Sequence, residues 1–336
     1  MKLICAPMAT LSHEAFRRTV EQFGGCDEYF TEMINAPSLL NMGPFEKYYL
    51  LNGPVPEKIV WQLTGTKGDS LAQAAAVVAA KGGKGIDINM GCSAPQIYKT
   101  SAGIAWMLKP REETQAAVRA VKAALTRAEQ SGGQHMRLSV KCRLGAEDFT
   151  DDDFFAFTDM LVAEGVETLT LHPRTMKEKY RGLPRYEYVE KLALRYEGKV
   201  PVYLNGGIHD VQSARHALCA APHTAGLMVA RAAAQKPWIF AQLRADLLQD
   251  SAAAPQEAQT VDCRQLALDF IDNVQRYQPQ EFWKTRLQRF FAYYCQNFSF
   301  AHYFQTQMLN AKSPEESRER VNAYFAQEPA DQFRSF

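Results

Sequence analysis

The sequence predicts a (β/α)₈ barrel followed by a small all-helical domain, and three observations predict it. Eight short runs rich in Val, Ile and Leu recur through residues 1–248, at 2–6, 28–34, 59–63, 85–89, 137–142, 167–172, 200–205 and 224–230. Helix-like stretches lie between or after them at 12–23, 70–81, 111–130, 151–164, 185–196, 210–220 and 237–248. Strands that alternate with helices form a parallel sheet, because parallel neighbours need a long crossover. Beyond residue 262 the strand signal stops.

Taken in order, the first run follows Met1 directly and ends at Pro7. The second connection, 35–58, is the least clear, and it leaves a doubly wound open sheet as an alternative. Run 85–89 alternates in strand fashion and gives way to Met90-Gly91-Cys92, a turn that displays a thiol at a strand end. Run 137–142 closes on Lys141 with Arg143 beyond it, and the sixth run leads into His172 and Arg174. The seventh ends at Asn205-Gly206-Gly207 and the eighth at Ala230-Arg231. Eight repeats in about 245 residues suit a barrel whose chemistry sits at the carboxyl ends of its strands. Residues 249–261 are poor in apolar bulk and read as a linker. Helical spacing resumes at 262–278, 281–299 and 314–327, punctuated by Pro279 and Pro314, so 262–336 reads as a helical bundle.

The 336 residues carry a net charge of +1, which excludes a globally basic nucleic-acid binder and leaves local patches to supply phosphate contacts. Seven cysteines show no CxxC pair and no metal-ligand spacing, so no metal is expected and a reducing cytoplasm fits. No signal peptide or membrane span is indicated.

Polar residues at the strand ends converge on one mouth: Met8, Gln62, Asn89, Lys141, Arg143, His172, Arg174 and Asn205. A lysine closing a buried strand needs a partner for its charge. For Lys141 that partner is either an anionic cofactor or an internal carboxylate such as Asp87. Gly206-Gly207 and Ala230-Arg231 follow the seventh and eighth strands, where barrels bind phosphate through backbone N–H groups. No GxGxxG or GxxxxGK[ST] appears, which favours a mononucleotide cofactor, and flavin mononucleotide (FMN) fits without being specified by spacing.

Together these residues carry a family likeness: the chain resembles the tRNA-dihydrouridine synthases. The likeness runs through Ala6-Pro7-Met8, Thr31-Glu32-Met33, Gln62-Leu63-Thr64-Gly65, Asp87-Ile88-Asn89-Met90-Gly91-Cys92 and Ala102-Gly103 with Pro110. It continues in Lys141-Cys142-Arg143-Leu144-Gly145, His172-Pro173-Arg174-Thr175, Tyr180-Arg181-Gly182, Asn205-Gly206-Gly207-Ile208, and Arg231-Ala232 followed by Pro237-Trp238-Ile239-Phe240. It implies an FMN barrel, a C-terminal helical tRNA-binding domain, NADPH as reductant, and reduction of a D-loop uridine to 5,6-dihydrouridine.

By the same resemblance, hydride passes from flavin N5 to uracil C6 and Cys92 protonates C5. Asn89 contacts uracil and flavin, and Lys141 the flavin ring. Pro7, Met8, Gln62, His172, Asn205, Gly206, Gly207, Ala230 and Arg231 match cofactor contacts, while Arg174, Tyr180 and Arg181 face the phosphate and base. An ordinary thiol, with a pKa of about 8.5, is largely protonated at neutral pH and needs no activating base to act as an acid. Two positions depart from the family pattern: Ser93 stands where a proline is usual, with Pro95 displaced, and Ala230 replaces a glycine. If position 230 needed positive φ, the extra methyl would cost about 1 kcal/mol or more and weaken FMN binding.

Residues 282–314 contain no Asp or Glu yet carry Lys284, Arg286, Arg289 and Lys312 among aromatics, and those basic groups are expected on tRNA. A second basic stretch, Arg174, Lys177, Lys179, Arg181 and Arg185, follows the sixth strand. At helical spacing the aromatics read as core more readily than as stacking platforms. Two rival functions remain at this stage: an FMN barrel acting on a free pyrimidine, and a tRNA-binding chaperone impaired in catalysis.

Overall fold

The structure, a computed structural model, describes residues 1–247 and 259–336. The expected linker at 249–261 lies outside the described residues as far as 258. Nine parallel strands form the main sheet: β1 (Lys2–Cys5), β2 (Glu28–Phe30), β3 (Ile34–Asn35), β4 (Ile59–Thr64), β5 (Gly85–Met90), β6 (Arg137–Cys142), β7 (Thr168–Leu171), β8 (Val202–Asn205) and β9 (Gly226–Val229). β1 pairs with both β2 and β9, and β2 pairs with β4, so the sheet closes into an eight-strand barrel and the open-sheet alternative falls. The second run, expected at 28–34, is interrupted: β2 and β3 both pair with β4, and Thr31-Glu32-Met33 lies between them.

The crossover helices start where side chains satisfy free backbone N–H groups. Thr150 accepts from Asp153 N–H ahead of Asp151–Ala163, and Asp210 and Ser213 form a reciprocal capping box on Val211–Ala220. Pro110 precedes the longest helix, Arg111–Gln130, whose first turn carries Glu112 and Glu113 against the positive end of its dipole. The unclear second crossover holds two short helices, Ala36–Leu40 and Glu46–Tyr49.

Apolar residues pack in two places. The larger core fills the space between sheet and helices, and a small cluster of Ile4, Ala6, Phe30, Val60, Tyr203 and Met228 lies apart from it, within the barrel. The rest of the interior is polar: Gln62, Asp87, Ser139, Thr168 and Thr170 are all buried. At the amino ends of the strands Glu28 accepts from Lys2 Nζ at 2.8 Å and from Arg137 Nη2 at 2.6 Å. An open cavity of about 680 Å³, lined in part by Lys2, Arg137, Thr168 and Tyr203, lies at this end, opposite to where barrels carry their chemistry.

The C-terminal segment holds helices Cys263–Tyr277, Gln280–Tyr294, Ala301–Asn310 and Pro314–Gln327. The helix expected over 281–299 breaks after Tyr294 into a short 3₁₀ turn, and Ala301–Asn310 is an additional helix. The segment is also not purely helical: β10 (Thr260–Asp262) pairs antiparallel with β11 (Phe333–Ser335). With only Val261 buried among those six positions, no apolar alternation marks either strand. Phe290 and Phe291 are buried against Phe270, with Phe270 and Phe290 stacked at 3.7 Å between ring centroids, and buried Tyr294 stacks on Phe290 at 5.0 Å, so these aromatics are core. His13 of the barrel faces Phe270 at 6.3 Å, and Arg18 lies 4.1 Å over the Tyr277 ring. No helix among the described residues is long and apolar enough to cross a membrane.

Candidate active site

The turn after β5 presents Cys92 half-buried, whereas Cys5, Cys26, Cys142, Cys263 and Cys295 are buried and Cys219 is exposed. Asn89, the next-to-last residue of β5, holds this turn: its Oδ1 accepts from Cys92 N–H at 3.0 Å and Gly91 N–H at 3.3 Å. From behind, Cys92 O accepts from Ile104 N–H at 3.1 Å. Gly103, at φ +61, comes so close that a Cβ would sit 2.6 Å from that same oxygen. The Ala102-Gly103 pair is therefore a backbone support for the thiol loop. The displaced Pro95 opens the short helix Pro95–Tyr98, where its missing N–H costs nothing.

Lys141, next to last in β6, lies beside Asn89, its partner in the β5 register. No hydrogen bond or ion pair joins its ammonium to another described residue, and burial, with Arg143 nearby, pushes it down to about 8. Asp87, the alternative partner weighed for Lys141, instead accepts from Gln62 Nε2 and from Ser139 Oγ, both at 2.8 Å, and burial pushes its carboxyl up to about 6.

More cations gather at the same mouth. Arg143 is buried and ties two loops together, donating through Nε to Gly91 O at 3.0 Å and through Nη1 to Lys179 O at 3.0 Å. Arg174 Nη1 lies 2.8 Å from His172 Nε2. A guanidinium only donates, so Nε2 is the acceptor and the imidazole proton sits on Nδ1. Burial, with Arg143, Lys141, Arg174 and Arg231 around it, holds His172 well below the usual histidine range and neutral. Tyr180, 64% exposed, caps the cluster with its ring 4.8 Å from the Arg231 guanidinium carbon and 6.1 Å from the His172 ring.

Gly206 and Gly207 both take positive φ, at +117 and +78. A Cβ on Gly206 would meet His172 Cδ2 at 2.7 Å, and one on Gly207 would meet the Tyr186 hydroxyl at 2.3 Å. The pair makes a cradle that side chains would fill. Asn205 bridges β8 to β9 by donating to Met228 O at 2.9 Å. After β1, on the other side of β9, Ser12 holds the Pro7-Met8 turn, accepting from Met8 N–H and donating to Ala6 O, both at 2.8 Å. Ala230 takes φ −113, so the cost expected for a methyl at positive φ does not arise.

Three residues are placed differently from the expectation that each faces a ligand. Arg286 points inward, 3% exposed, with Nη1 2.5 Å from Glu32 Oε1. It docks the helical segment on the barrel and is not presented to RNA. Arg174 is buried and donates to Arg181 O and Gly182 O, so it shapes the loop beneath Arg181. Gln62 is wholly buried, with its amide spent between Asp87 and Asn89. By contrast Arg181, Lys284 and Arg289 are exposed. Sequence reasoning gave no ligand-facing role to Arg143, named only as a strand-end residue, or to Asp87, named only as a possible partner of Lys141, and gave none to Glu32. For the first two a signal existed, since each lies two residues from a chosen residue on the same face, beside Lys141 and Asn89.

Residues 4–329 match the family described as dihydrouridine synthase (Dus). A probable tRNA-dihydrouridine synthase of Rhodobacter capsulatus is 32% identical over 251 residues, covering 73% of this chain and 71% of that one. The tRNA-dihydrouridine synthase B of Pseudomonas syringae pv. tomato is 30% identical over 248 residues, with 73% and 68% covered. The probable tRNA-dihydrouridine synthase 1 of Synechocystis sp. is 25% identical over 322 residues, spanning 96% of this chain and 85% of its own.

Proposed function

Because the chain belongs to the dihydrouridine synthase family, we propose that it reduces a D-loop uridine of tRNA to 5,6-dihydrouridine, with FMN as cofactor and NADPH as reductant. The observation that carries this reading is the half-buried thiol of Cys92, pinned by Asn89 on a strand-end turn and neighboured by the ammonium of Lys141, which has no hydrogen-bond or ion-pair partner among the described residues.

The residues present fit a flavin mononucleotide. Lys141 supplies a cation with no partner among the described residues, suited to the electron-rich edge of the ring, and Gly206 and Gly207 leave the backbone open where a side chain would collide. Arg231 and the Nδ1–H of neutral His172 add donors for its phosphate side, and Asn205, Met8 and Pro7 line the neighbouring strand ends. When bound, the flavin supplies the hydride that saturates C6 of the uracil.

Everything else falls to this chain. Cys92 Sγ–H gives its proton to C5 as negative charge develops there, and the resulting thiolate regains a proton from water. Asn89 keeps the thiol loop in register, and His172, held neutral by burial and the neighbouring cations, donates through Nδ1–H while Nε2 accepts from Arg174. A stacked base cannot enter a barrel, so the uridine must arrive extruded, with the RNA held by its backbone. Exposed Arg181, Lys177 and Lys179 at the mouth, and Lys284, Arg289 and Lys312 on the helical segment 262–336, supply that positive surface. We place the enzyme in the cytoplasm, where thiols stay reduced and tRNA is found.

The test is nucleoside mass spectrometry on unmodified tRNA incubated with the protein, FMN and NADPH. A gain of two hydrogens at one uridine is expected. Equal turnover of free uridine monophosphate would favour a free-pyrimidine reductase, and tRNA binding without turnover would favour an inactive binder.

A further inference from the structure

The buried carboxylate of Asp87 is not used by the chemistry above, yet it anchors a line of hydrogen bonds that ends at Cys92. Asp87 Oδ2 accepts from Gln62 Nε2 at 2.8 Å, Gln62 Oε1 accepts from Asn89 Nδ2 at 2.9 Å, and Asn89 Oδ1 accepts from the N–H groups of Gly91 and Cys92. On its other side Asp87 Oδ1 accepts from Ser139 Oγ at 2.8 Å. Three adjacent strands, β4, β5 and β6, supply the line, and Asp87 itself is 0% exposed.

The two ends of this line have opposite, fixed characters. A carboxylate can only accept, and a backbone N–H can only donate. Between them stand two amides, each of which can flip. With both ends fixed, Gln62 must turn its NH₂ to Asp87 and its oxygen to Asn89. Asn89 must in turn direct its NH₂ at Gln62 and its oxygen at the Cys92 turn. Without the acceptor at position 87, Gln62 is free to invert, and an inverted Gln62 presents NH₂ to NH₂ unless Asn89 inverts too. An inverted Asn89 faces the two backbone N–H groups with donors and releases the turn.

We propose that Asp87 is a positioning residue which, by fixing the amide orientations of Gln62 and Asn89, holds the Cys92 turn in the geometry needed for proton delivery. The proposal rests on the dihydrouridine synthase reading for its catalytic consequence, but its structural consequence can be read separately. Burial works against the carboxylate here, so it weakens the fold while fixing the two amides.

Asp87→Leu removes the acceptor at similar volume. Asp87→Asn keeps an oxygen for Gln62, while the Ser139 hydroxyl, already 3.3 Å from Ile86 O, can donate there instead. Both variants are assayed at saturating FMN and NADPH, with FMN content measured. Asp87→Leu is expected to lose about 10- to 100-fold in kcat with the KM for tRNA nearly unchanged, and Asp87→Asn to stay within about threefold of the parent, since misplacing a reacting group by about an ångström costs on that order. The second readout is the rate of Cys92 alkylation by iodoacetamide, followed by peptide mass spectrometry. It is expected to rise several-fold in Asp87→Leu and not in Asp87→Asn. If Asp87→Leu does not fold, Gln62→Met breaks the line one link further on and is expected to give the same rise in alkylation. Full kcat and unchanged alkylation in the variant that breaks the line would overturn the proposal, as would equal losses in Asp87→Leu and Asp87→Asn. Absence of dihydrouridine with the parent protein would instead refute the reaction, leaving the alkylation comparison to decide the positioning role.

Discussion

Replacing Arg286 with methionine tests how the helical segment is fastened to the barrel. In the parent, Arg286 Nη1 lies 2.5 Å from Glu32 Oε1 with the two side chains only 3% and 6% exposed. The same oxygen accepts from Thr10 N–H at 2.5 Å, in the loop that follows Pro7 and Met8. Arg286→Met keeps the apolar contact with the Phe282 ring, 5.0 Å from the guanidinium carbon, and strips Glu32 of its cation. A buried charge left without its partner costs about 3–5 kcal/mol. Burial already raises the Glu32 carboxyl above its usual range even with Arg286 present, and removing the guanidinium raises it further. The fold tolerates the protonated form, so stability in Arg286→Met is lost as pH rises through the raised pKa, and its deficit is larger at pH 8 than at pH 5. The double variant Glu32→Gln/Arg286→Met removes the charge and keeps an oxygen for Thr10. Urea unfolding of the four proteins at pH 8 should give a coupling energy of at least about 2 kcal/mol, within the range for residues in direct contact. A single variant within about 1 kcal/mol of the parent, with coupling below about 0.5 kcal/mol, would refute a desolvated pair joining the two parts.

Two further predictions concern charge. Burial pushes Lys141 down to about 8, and an anionic cofactor would raise its pKa, so binding takes up a proton; FMN affinity titrated by fluorescence should be strongest below pH 8 and weaken as pH rises through it. In Lys141→Met that slope should vanish. For Asp87, a carboxyl raised from 3.8 to about 6 disfavours the fold as it ionises, by up to about 3 kcal/mol. Parent stability is lost relative to Asp87→Asn as pH rises from 4 to 7, which paired denaturation curves at several pH values would measure.

How much of this was legible in the sequence follows from which forces act locally. Strands such as Ile59–Thr64 and Gly85–Met90 are continuous buried runs, and their position in a parallel barrel follows from the helices between them. Lys141 stood out because a charge at the end of a buried strand is expensive unless paired, Cys92 because a glycine turn displays it past a strand, and Asn89 as a strand-end polar residue whose role the family likeness implies. The break at Thr31-Glu32-Met33 was not legible, since Glu32 is spent on a partner 254 residues away. Arg286 carries the same basic and aromatic context as exposed Lys284 and Arg289, and only the packing of its helix turns it inward. The ribbon of β10 and β11 pairs three residues with three at the far end of the segment, too short for periodicity to register. The φ of Ala230 is set by the turn between β9 and the helix Arg231–Gln235, which no side-chain pattern encodes.

The most direct test of the central claim compares the parent with Cys92→Ala in a single turnover, using anaerobically pre-reduced protein mixed with unmodified tRNA. Reoxidation of the flavin is followed by its absorbance and dihydrouridine by mass spectrometry. The account predicts dihydrouridine at one position with the parent and a rate at least about 100-fold lower with Cys92→Ala, at equal tRNA affinity, because general acid catalysis contributes about 10²–10⁴. Dihydrouridine formed by Cys92→Ala at the parental rate would contradict it.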